Sequence, residues 1–484
     1  MVSVKPTGNS YGSGWGDGPL LHMNTTTGAS DYPHPQDIWH TLNEPWCSQV
    51  QEIPSGAVVL INEAEPQHFL AHLWSALLAN AALILANPGW QQQEWQQVAE
   101  QLQPDIVLGK TPPVSFARSH QPKAGQILIA TGGTSGKTKF VVHTWQTLMA
   151  AAQGFLDHFE QQPVNRQSAN RQPVNSYCVL PLYHVSGLMQ AMRVWLSGGR
   201  LIIQSFKQLE SGQRLVTPNQ TWFISLVPTQ LQRLLKTDSA SPWLSQFRAI
   251  LLGGAPAWPS LLAQAAELPV ALTYGMSETA AQVATLFPND FQQGVYSNGP
   301  PLPHVMLAVH NPTSLQPLPA NTVGLIALQS PALGLGYWPN TQFAQTQSWF
   351  YPDDLGFLDE QGHLHVVGRS SQKIITGGEN VFPTEVEAAL LTTGLVQDVC
   401  VVGIPDPVWG QTVAALYVPA ETATPEQLKM ALKSLLSPYK HPKQWRQVNQ
   451  IPRNHQGKVN RSQAMAWLVQ ATEPARNSAA DADG

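Results

Sequence analysis

The feature that most limits the possible folds is a series of short, continuously apolar runs. Such runs are typical of strands that helices cover on both faces, because neither face then alternates with polar residues. Longer segments with helical spacing of apolar residues separate them, and the chain therefore predicts an α/β architecture. The runs are AVVLIN (57–62), ALILAN (82–87), DIVLG (105–109), QILIAT (126–131), SYCVLPL (176–182), RLIIQ (200–204), WFISLVP (222–228) and FRAILLGG (247–254).

The texture changes in the second half of the chain. After about residue 300 the strand candidates HVMLAVH, GLIALQS and GHLHVVGR are punctuated by turns, which indicates a smaller β subdomain. Beyond Arg369 come the pieces of a compact α+β unit of about 100 residues. We expect a weakly ordered arm (1–35), a large N-terminal domain (36–369), a small C-terminal domain (370–470) and a disordered tail (471–484).

Composition excludes several classes of protein. The net charge of −5 and the 12% of charged residues leave no basic field for nucleic acid. Cys47, Cys178 and Cys400 have no paired spacing, which argues against disulfides and thiolate metal sites and fits a reducing compartment. The most apolar window (69–90) contains His72 and predicts a buried helix and a strand instead of a membrane span. The N-terminus lacks a signal-peptide pattern. We expect a cytoplasmic protein, monomeric or homodimeric, with small-molecule partners.

The segment TGGTSGKTKFVVHT (131–144) combines glycines, hydroxyls and lysines as phosphate-binding loops do. It narrowly misses the pattern G-x-x-x-x-G-K-[ST], since the residue five places before Gly136 is Thr131. A helix follows that kind of loop, whereas the run FVV (140–142) favours a strand. We predict a phosphate loop between two strands; an ordinary Gly/Ser surface hairpin is the alternative.

This loop resembles the signature loop of the adenylate-forming superfamily, which includes acyl-CoA synthetases, luciferases and peptide-synthetase adenylation domains. The family pattern is [ST]-[SG]-G-[ST]-[ST]-G-x-[PST]-K. Lys139 takes the place of the family lysine, Lys137 a variable position, and Thr138 the usual proline, so we expect a more flexible loop. The resemblance implies that ATP contacts Thr131, Gly132, Gly133, Thr134, Ser135, Gly136 and Lys139, and that Thr134 also serves catalysis and Mg²⁺.

Two further segments match the family in order. In LLGGAPAW (251–258), Gly253, Gly254, Ala255 and Pro256 would border the adenine. TYGMSETA (273–280) resembles Y-G-x-[ST]-E, so Tyr274 would stack on adenine, Thr279 would bond the α-phosphate, and Glu278 would act in catalysis as an oxygen ligand of Mg²⁺. The other ATP contacts that this segment implies are Thr273, Gly275, Met276 and Ser277.

The last two segments supply a carboxylate and a lysine. WFYPDDLGFLDEQGHLHVVGR (349–369) places Asp354 at the family aspartate that binds the ribose hydroxyls and Arg369 at the family arginine, with Asp353 as a neighbouring alternative to Asp354. IPRNHQGKVNR (451–461) resembles the terminal motif, and Lys458 would bind ATP and drive adenylation.

The resemblance covers about residues 55 to 465 and implies a fold. It consists of two α/β subdomains, a β subdomain and a small mobile α+β lid. The lid would turn near Ser370-Ser371, where Ser371 departs from the usual Asp or Lys. One pose would bring in Lys458. The other would bring in ITGGENV (375–381), whose Gly377, Gly378 and Glu379 would line the tunnel for coenzyme A.

The acid is indicated by LPLYHVSGLMQAMRVWLSGG (180–199). This segment resembles that of o-succinylbenzoate–CoA ligases, some of which carry an arginine seven places after the serine, as Arg193 follows Ser186. A dicarboxylic acid needs a cation for its second carboxylate in an apolar pocket, although Arg193 could instead be a snorkelling or salt-bridged helix residue. The implied acid-binding residues are His184, Ser186, Arg193, Gly254 and Ser277.

The resulting hypothesis is an ATP- and Mg²⁺-dependent acid–CoA ligase that works through an acyl adenylate. The favoured acid is 2-succinylbenzoate, of menaquinone and phylloquinone biosynthesis. An aryl or medium-chain acyl-CoA ligase is the alternative, and a non-catalytic nucleotide-binding protein of the same fold is a remote one.

Overall fold

Four β-sheets organise the described part of the chain. The computed structural model describes residues 32–42, 44–116, 120–132, 138–160, 172–237, 239–340, 342–343, 345–346, 348–420, 423–453 and 459–470. The expected arm and tail lie almost entirely outside these residues. The domain boundaries at 36–369 and 370–470 therefore stay predictions.

The first sheet is parallel at its centre. Its spatial order is β3, β1, β2, β4, with β5 antiparallel to β4. Odd-numbered residues of β1 and β2 pack with α2 and α4, and even-numbered ones with α3, which explains the continuously apolar sequences. The elements are α1 (Pro35–Trp39), β1 (Val58–Asn62), α2 (Pro66–Leu78), β2 (Ala82–Leu85), α3 (Gln92–Ala99), β3 (Ile106–Gly109), β4 (Gln126–Gly132), β5 (Thr138–Thr144) and α4 (Trp145–Glu160).

The second sheet repeats this plan. Its order is β7, β6, β8, β9, β10, all parallel, with β11 antiparallel at the edge. Ligands bind at the carboxyl ends of parallel strands in open α/β sheets, and those of β8 and β9 open onto the cavity described below. The elements are β6 (Asn175–Cys178), α5 (Val185–Ser197), β7 (Leu201–Ile203), α6 (Phe206–Glu210), β8 (Trp222–Leu226), α7 (Pro228–Leu234), α8 (Ala240–Leu244), β9 (Ala249–Leu252), α9 (Pro259–Gln264), β10 (Val270–Met276), β11 (Ala281–Thr285) and α10 (Pro288–Gln292).

The third sheet forms the β subdomain. Its strands are mutually antiparallel, and one short strand of this region, β14, instead pairs with β5 of the first sheet. The strands are β12 (Met306–His310), β13 (Gly324–Gln329), β14 (Gly336–Tyr337), β15 (Gln345–Thr346), β16 (Trp349–Phe350), β17 (Asp354–Leu358) and β18 (Leu364–Arg369).

The fourth sheet belongs to the C-terminal α+β unit, which we call the lid. Helix α11 of the lid packs against α9 and β18, and the Thr384 hydroxyl donates to the Val367 carbonyl at 3.0 Å. The elements are β19 (Ile374–Thr376), β20 (Glu379–Val381), α11 (Pro383–Thr392), β21 (Val396–Asp406), β22 (Gly410–Pro419), α12 (Pro425–Leu432), β23 (Gln444–Gln447) and α13 (Arg461–Gln470). The predicted fold class, two α/β subdomains, a β subdomain and a small α+β unit, is confirmed.

The apolar window 69–90 forms a helix and a strand, as the sequence predicts. It forms most of α2 and all of β2. Among the described residues, no helix has the length and apolar character needed to span a bilayer.

Three buried histidines make the stability of the core depend on pH. Burial lowers the pKa of His143, His158 and His304 from 6.5 to about 4. Between about pH 6.5 and 4 the unfolded chain therefore binds protons that the folded chain does not. The free energy of unfolding must fall as the pH falls through this window, by about 1.4 kcal/mol per pH unit for each histidine at most.

The substitution His304→Phe should weaken this dependence. Neither ring nitrogen of His304 has a hydrogen-bond partner among the described residues, so the phenyl ring removes a titrating group without breaking a bond. We expect the loss of Tm between about pH 7 and pH 5, measured by circular dichroism, to be smaller than in the wild type. His120→Gln, at an exposed position, is the matched control. An unchanged pH dependence in His304→Phe would contradict the assignment.

Candidate active site

One large cavity collects most of the predicted site residues. Its volume is about 3200 Å³, well above the ~300–1,000 Å³ of a pocket for one small ligand. It runs from the carboxyl ends of β8 and β9 to the lid. The predicted residues that line it are Thr131, Lys139, His184, Ser186, Arg193, Gly253, Gly254, Ala255, Pro256, Thr273, Tyr274, Gly275, Met276, Ser277, Glu278, Asp354 and Arg369.

Other predicted residues are not brought into this cavity. Thr279 is 1% exposed, and its hydroxyl lies 3.0 Å from the Ala281 carbonyl within its own turn. This geometry favours Ser277, which lines the cavity, for the phosphate contact proposed for Thr279. Gly377, Gly378 and Glu379 lie in and beside the β19–β20 hairpin of the lid and do not line the cavity in this pose. Gly133, Thr134, Ser135, Gly136, Lys137 and Lys458 lie outside the described residues, and Gly132 is described only as the last residue of β4.

The predicted phosphate loop joins two paired strands. Thr131 pairs with Lys139 and Gly132 with Thr138 in the β4–β5 ladder, so the prediction that a strand follows the loop is confirmed. The Lys139 ammonium lies 5.6 Å from the centre of the Tyr337 ring. Both strands thus hold residues of the loop's two ends at the cavity wall.

Thr138 is fixed on both of its peptide groups. Its N–H donates to the Gln97 side-chain oxygen at 2.8 Å, and its carbonyl accepts from the Gln101 amide at 3.2 Å. A proline at this position would lack that N–H. The predicted flexibility of the loop stays a prediction, because residues 133–137 lie outside the described part of the chain.

Glu278 is oriented by a tyrosine that the sequence did not indicate. The Tyr337 hydroxyl donates to Glu278 Oε1 at 2.5 Å, and burial, followed by the Glu278 charge, raises the pKa of Tyr337. Glu278 Oε2 has no hydrogen-bond donor among the described residues. Since these contain no cluster of three or more His, Cys, Asp or Glu, a metal here would take most ligands from phosphate and water, as Mg²⁺ commonly does. The carboxylate fits that ion.

His143 supports the turn that carries Glu278 by a hydrogen bond to its backbone. Burial lowers the pKa of His143 to about 4, so the ring is neutral near pH 7. His143 Nε2 lies 2.7 Å from the Ser277 carbonyl, and because a carbonyl only accepts, Nε2 carries the proton. A hydrogen bond from the buried His143 ring therefore fixes the backbone beside Glu278.

Asp354 lies between a tyrosine and an arginine. The Tyr274 hydroxyl donates to Asp354 Oδ2 at 2.6 Å, and Arg369 Nε lies 3.3 Å from Oδ1. Burial raises the pKa of Asp354, and the Tyr274 hydrogen bond and the Arg369 charge oppose that rise. Asp354 is a cavity carboxylate held in place from both sides.

The adjacent aspartate has a different surrounding. Asp353 adopts a left-handed φ of 67° and accepts from the Ser371 hydroxyl at 2.5 Å and from the Ser371 N–H at 3.3 Å. Ser371 belongs to a 3₁₀ turn, Ser370–Gln372, between β18 and the lid. Both aspartates line the cavity, but Asp353 is bonded to the segment that leads to the lid, so the geometry favours Asp354 as the nucleotide ligand.

The predicted acid end of the cavity contains a buried cation. Arg193 is 5% exposed, its guanidinium lies 3.9 Å from the centre of the Phe155 ring, and NH2 donates to Gln282 Oε1 at 2.5 Å. Among the described residues, Nε has no hydrogen-bond partner and no acidic side chain pairs with the guanidinium. Burial lowers the pKa of Arg193 to about 9, which leaves it protonated near pH 7. The interpretation as a salt-bridged residue does not fit these contacts.

Two family models match the chain. The model for AMP-binding enzymes matches residues 117–338, and the model for their C-terminal domain matches residues 385–458. A 2-succinylbenzoate–CoA ligase of Listeria monocytogenes is 32% identical over 341 residues, 69% of this chain and 68% of that protein.

The chain belongs to the AMP-binding enzyme family. It is thus an adenylate-forming enzyme of the AMP-forming acid–CoA ligase group. A second 2-succinylbenzoate–CoA ligase, from Bacillus cereus, is 31% identical over 416 residues, 81% of this chain and 84% of that protein. A third, from Oceanobacillus iheyensis, is 33% identical, and that match spans 59% of its length.

Solved structures of this family share the fold. The o-succinylbenzoate coenzyme A synthetase of Bacillus subtilis, in complex with ATP and a magnesium ion, is 25% identical with a TM-score of 0.70, covering 88% of this chain and 91% of that one. ATP-bound MatB from Rhodopseudomonas palustris is 21% identical with a TM-score of 0.71, covering 91% and 93%, which shows the fold alone.

Substitutions of the two adjacent aspartates should have different effects on the KM for ATP. Asp354→Asn keeps the size of the side chain but removes the charge that faces Tyr274 and Arg369, and we expect the KM for ATP to rise about tenfold or more. Asp353→Asn should leave the KM for ATP within about twofold, because its contacts lie in the turn toward the lid. Steady-state kinetics with varied ATP would decide. Equal increases in both variants would contradict the assignment.

Proposed function

We propose that this protein is a 2-succinylbenzoate–CoA ligase of menaquinone or phylloquinone biosynthesis. The observation that carries this choice of acid is Arg193, a buried guanidinium that lines the cavity and has no acidic partner among the described residues. Leaving such a cation uncompensated costs several kcal/mol. A substrate that brings a second carboxylate into the pocket would supply the missing charge.

The proposed reaction has two steps. The aliphatic carboxylate of the acid attacks the α-phosphorus of ATP, the bond from that phosphorus to pyrophosphate breaks, and an acyl adenylate forms. The thiol of coenzyme A then attacks the acyl carbon, loses its proton to the medium, and displaces AMP. Each step needs its negative charges held in a fixed place.

The nucleotide end of the cavity supports the first step. Asp354, held by Tyr274 and Arg369, would accept from the ribose hydroxyls. Ser277 and Lys139 would contact phosphate oxygens, and Glu278 would hold Mg²⁺, which neutralises phosphate charge when bound. Thr134 and Lys458, expected at the phosphates and the reacting carboxylate, stay predictions because they lie outside the described residues.

The second step would need a different lid orientation. In this structure the β19–β20 hairpin, with Gly377, Gly378 and Glu379 expected at the thiol, does not line the cavity. We propose that the lid turns about Ser370–Gln372 to bring this hairpin in, as lids in other enzymes do.

Cys47, Cys178 and Cys400 are all free, which supports a reducing compartment such as the cytoplasm.

An acid panel tests the proposal directly. Purified protein with ATP, Mg²⁺ and coenzyme A should form a CoA ester from 2-succinylbenzoate, detected by mass spectrometry. Its specificity constant should exceed that of 4-oxo-4-phenylbutanoate, which lacks the ring carboxylate, by about 100-fold, because a charged hydrogen-bonded contact is lost. Turnover of benzoates or octanoate without 2-succinylbenzoate would refute the proposed acid.

Arg193→Ala should remove this preference. We expect the KM for 2-succinylbenzoate to rise about 10- to 100-fold and the KM for ATP to stay within about twofold. Arg193→Lys should recover only part of the affinity, since a point charge replaces a planar fork. The exposed Arg200→Ala is the matched control. Equal effects on both substrates would show that Arg193 has a structural role only.

A further inference from the structure

A glutamine, not an acid, faces the buried arginine. Gln282 lies on β11, is 8% exposed and lines the cavity. Its Oε1 accepts from Arg193 NH2 at 2.5 Å, across 89 residues of sequence. An acceptor on a neutral side chain orients a guanidinium without cancelling its charge.

The backbone before Gln282 is in an unusual conformation. Ala280 and Ala281 have φ values of 51° and 118°, a region that residues with a Cβ rarely adopt. Backbone strain of this kind persists where the surrounding structure requires it. Gln282 directly follows this strained pair.

The strand pairing is also irregular at this point. Tyr274 pairs with Ala284 and Gly275 with Gln282, so one extra residue of β11, Val283, is inserted between them. A Cβ on Gly275 would lie 1.9 Å from the Ala281 carbonyl oxygen, so only glycine permits this approach. A bulge changes the direction in which neighbouring side chains point. At this bulge Gln282 lines the cavity, and Val283 is buried in the core.

Arg193 and Gln282 both keep donors without a partner among the described residues. Arg193 Nε has no hydrogen-bond partner, and Gln282 Nε2 carries two N–H groups with no acceptor among the described residues. Both groups are attached to side chains that line the cavity. The cavity wall thus carries a cation and, beside it, a neutral amide donor.

We propose that Gln282 is a specificity-determining residue of this enzyme. It positions the Arg193 guanidinium and adds an amide donor to the second carboxylate of the acid, while leaving the arginine charge for that carboxylate. A glutamate at this position would satisfy the arginine internally and exclude a second anion. This inference rests on the proposed dicarboxylic substrate.

Gln282→Glu is the decisive variant. We expect the KM for 2-succinylbenzoate to rise about 30-fold or more, since an internal ion pair competes with the substrate. The KM for 4-oxo-4-phenylbutanoate should change less than about threefold, and the KM for ATP less than about twofold. Gln282→Met, which removes the hydrogen bond without adding charge, should raise the KM for 2-succinylbenzoate about 3- to 10-fold.

The controls separate this inference from the proposed function. The exposed Gln293→Glu makes the same charge change away from the cavity and should behave as wild type. A wild-type enzyme without preference for the dicarboxylate overturns both the proposed function and this inference. If Arg193→Ala abolishes the preference but both Gln282 variants keep it, the Gln282 role alone is overturned. Equal increases in KM for both acids and ATP, with a lowered Tm, would mean a structural role and overturn it too.

Discussion

The hydrogen bond between Tyr274 and Asp354 is the contact on which the site depends. It ties the last parallel strand of the second sheet to the β subdomain, 80 residues later in the chain. A second tyrosine–carboxylate hydrogen bond joins Tyr337 to Glu278. Tyr337 lies on β14, which pairs with β5 of the first sheet, and Glu278 lies in the turn after β10. Two partly buried tyrosine–carboxylate hydrogen bonds thus connect the three subdomains around one cavity, and each holds its carboxylate in orientation before a ligand arrives. Preorganisation of this kind is what charge-handling sites require.

The sequence predicted much of the fold because strands that are buried on both faces are apolar at every position, a pattern that is easy to detect. Continuous apolar runs placed eight strands of the two α/β sheets, and the run after the phosphate loop correctly predicted a strand. Motif order placed Tyr274, Glu278 and Asp354 in one cavity. Tyr337, Gln97 and Gln282 were missed, because their roles arise from contacts between distant segments. Tyr337 stands in a strand of two residues, too short for any pattern, and a lone glutamine carries no local signal. The motif predicted both Ser277 and Thr279 as ATP contacts, and only the turn geometry shows that Thr279 is buried whereas Ser277 lines the cavity.

Recognition of the acid is governed by what the pocket leaves uncompensated. A buried arginine normally finds a carboxylate within the protein, because desolvating an unpaired charge is unfavourable. Here the described residues give it an aromatic face and an amide oxygen instead. The free protein therefore carries an unfavourable charge that a suitable ligand relieves. A monocarboxylic acid that fills the same space would leave the guanidinium unpaired. Selectivity then comes as much from the cost of the unpaired charge as from the contact with the second carboxylate.

The hydrogen bond between Thr138 and Gln97 links two positions that a sequence comparison would treat separately. Proline at 138 would leave the Gln97 carboxamide oxygen without its donor. Any other residue at 138 brings a peptide N–H that needs an acceptor once it is shielded from water. We therefore expect residues 97 and 138 to vary together among related proteins, although residue 97 lies on α3, a helix that contributes no residue to the loop itself.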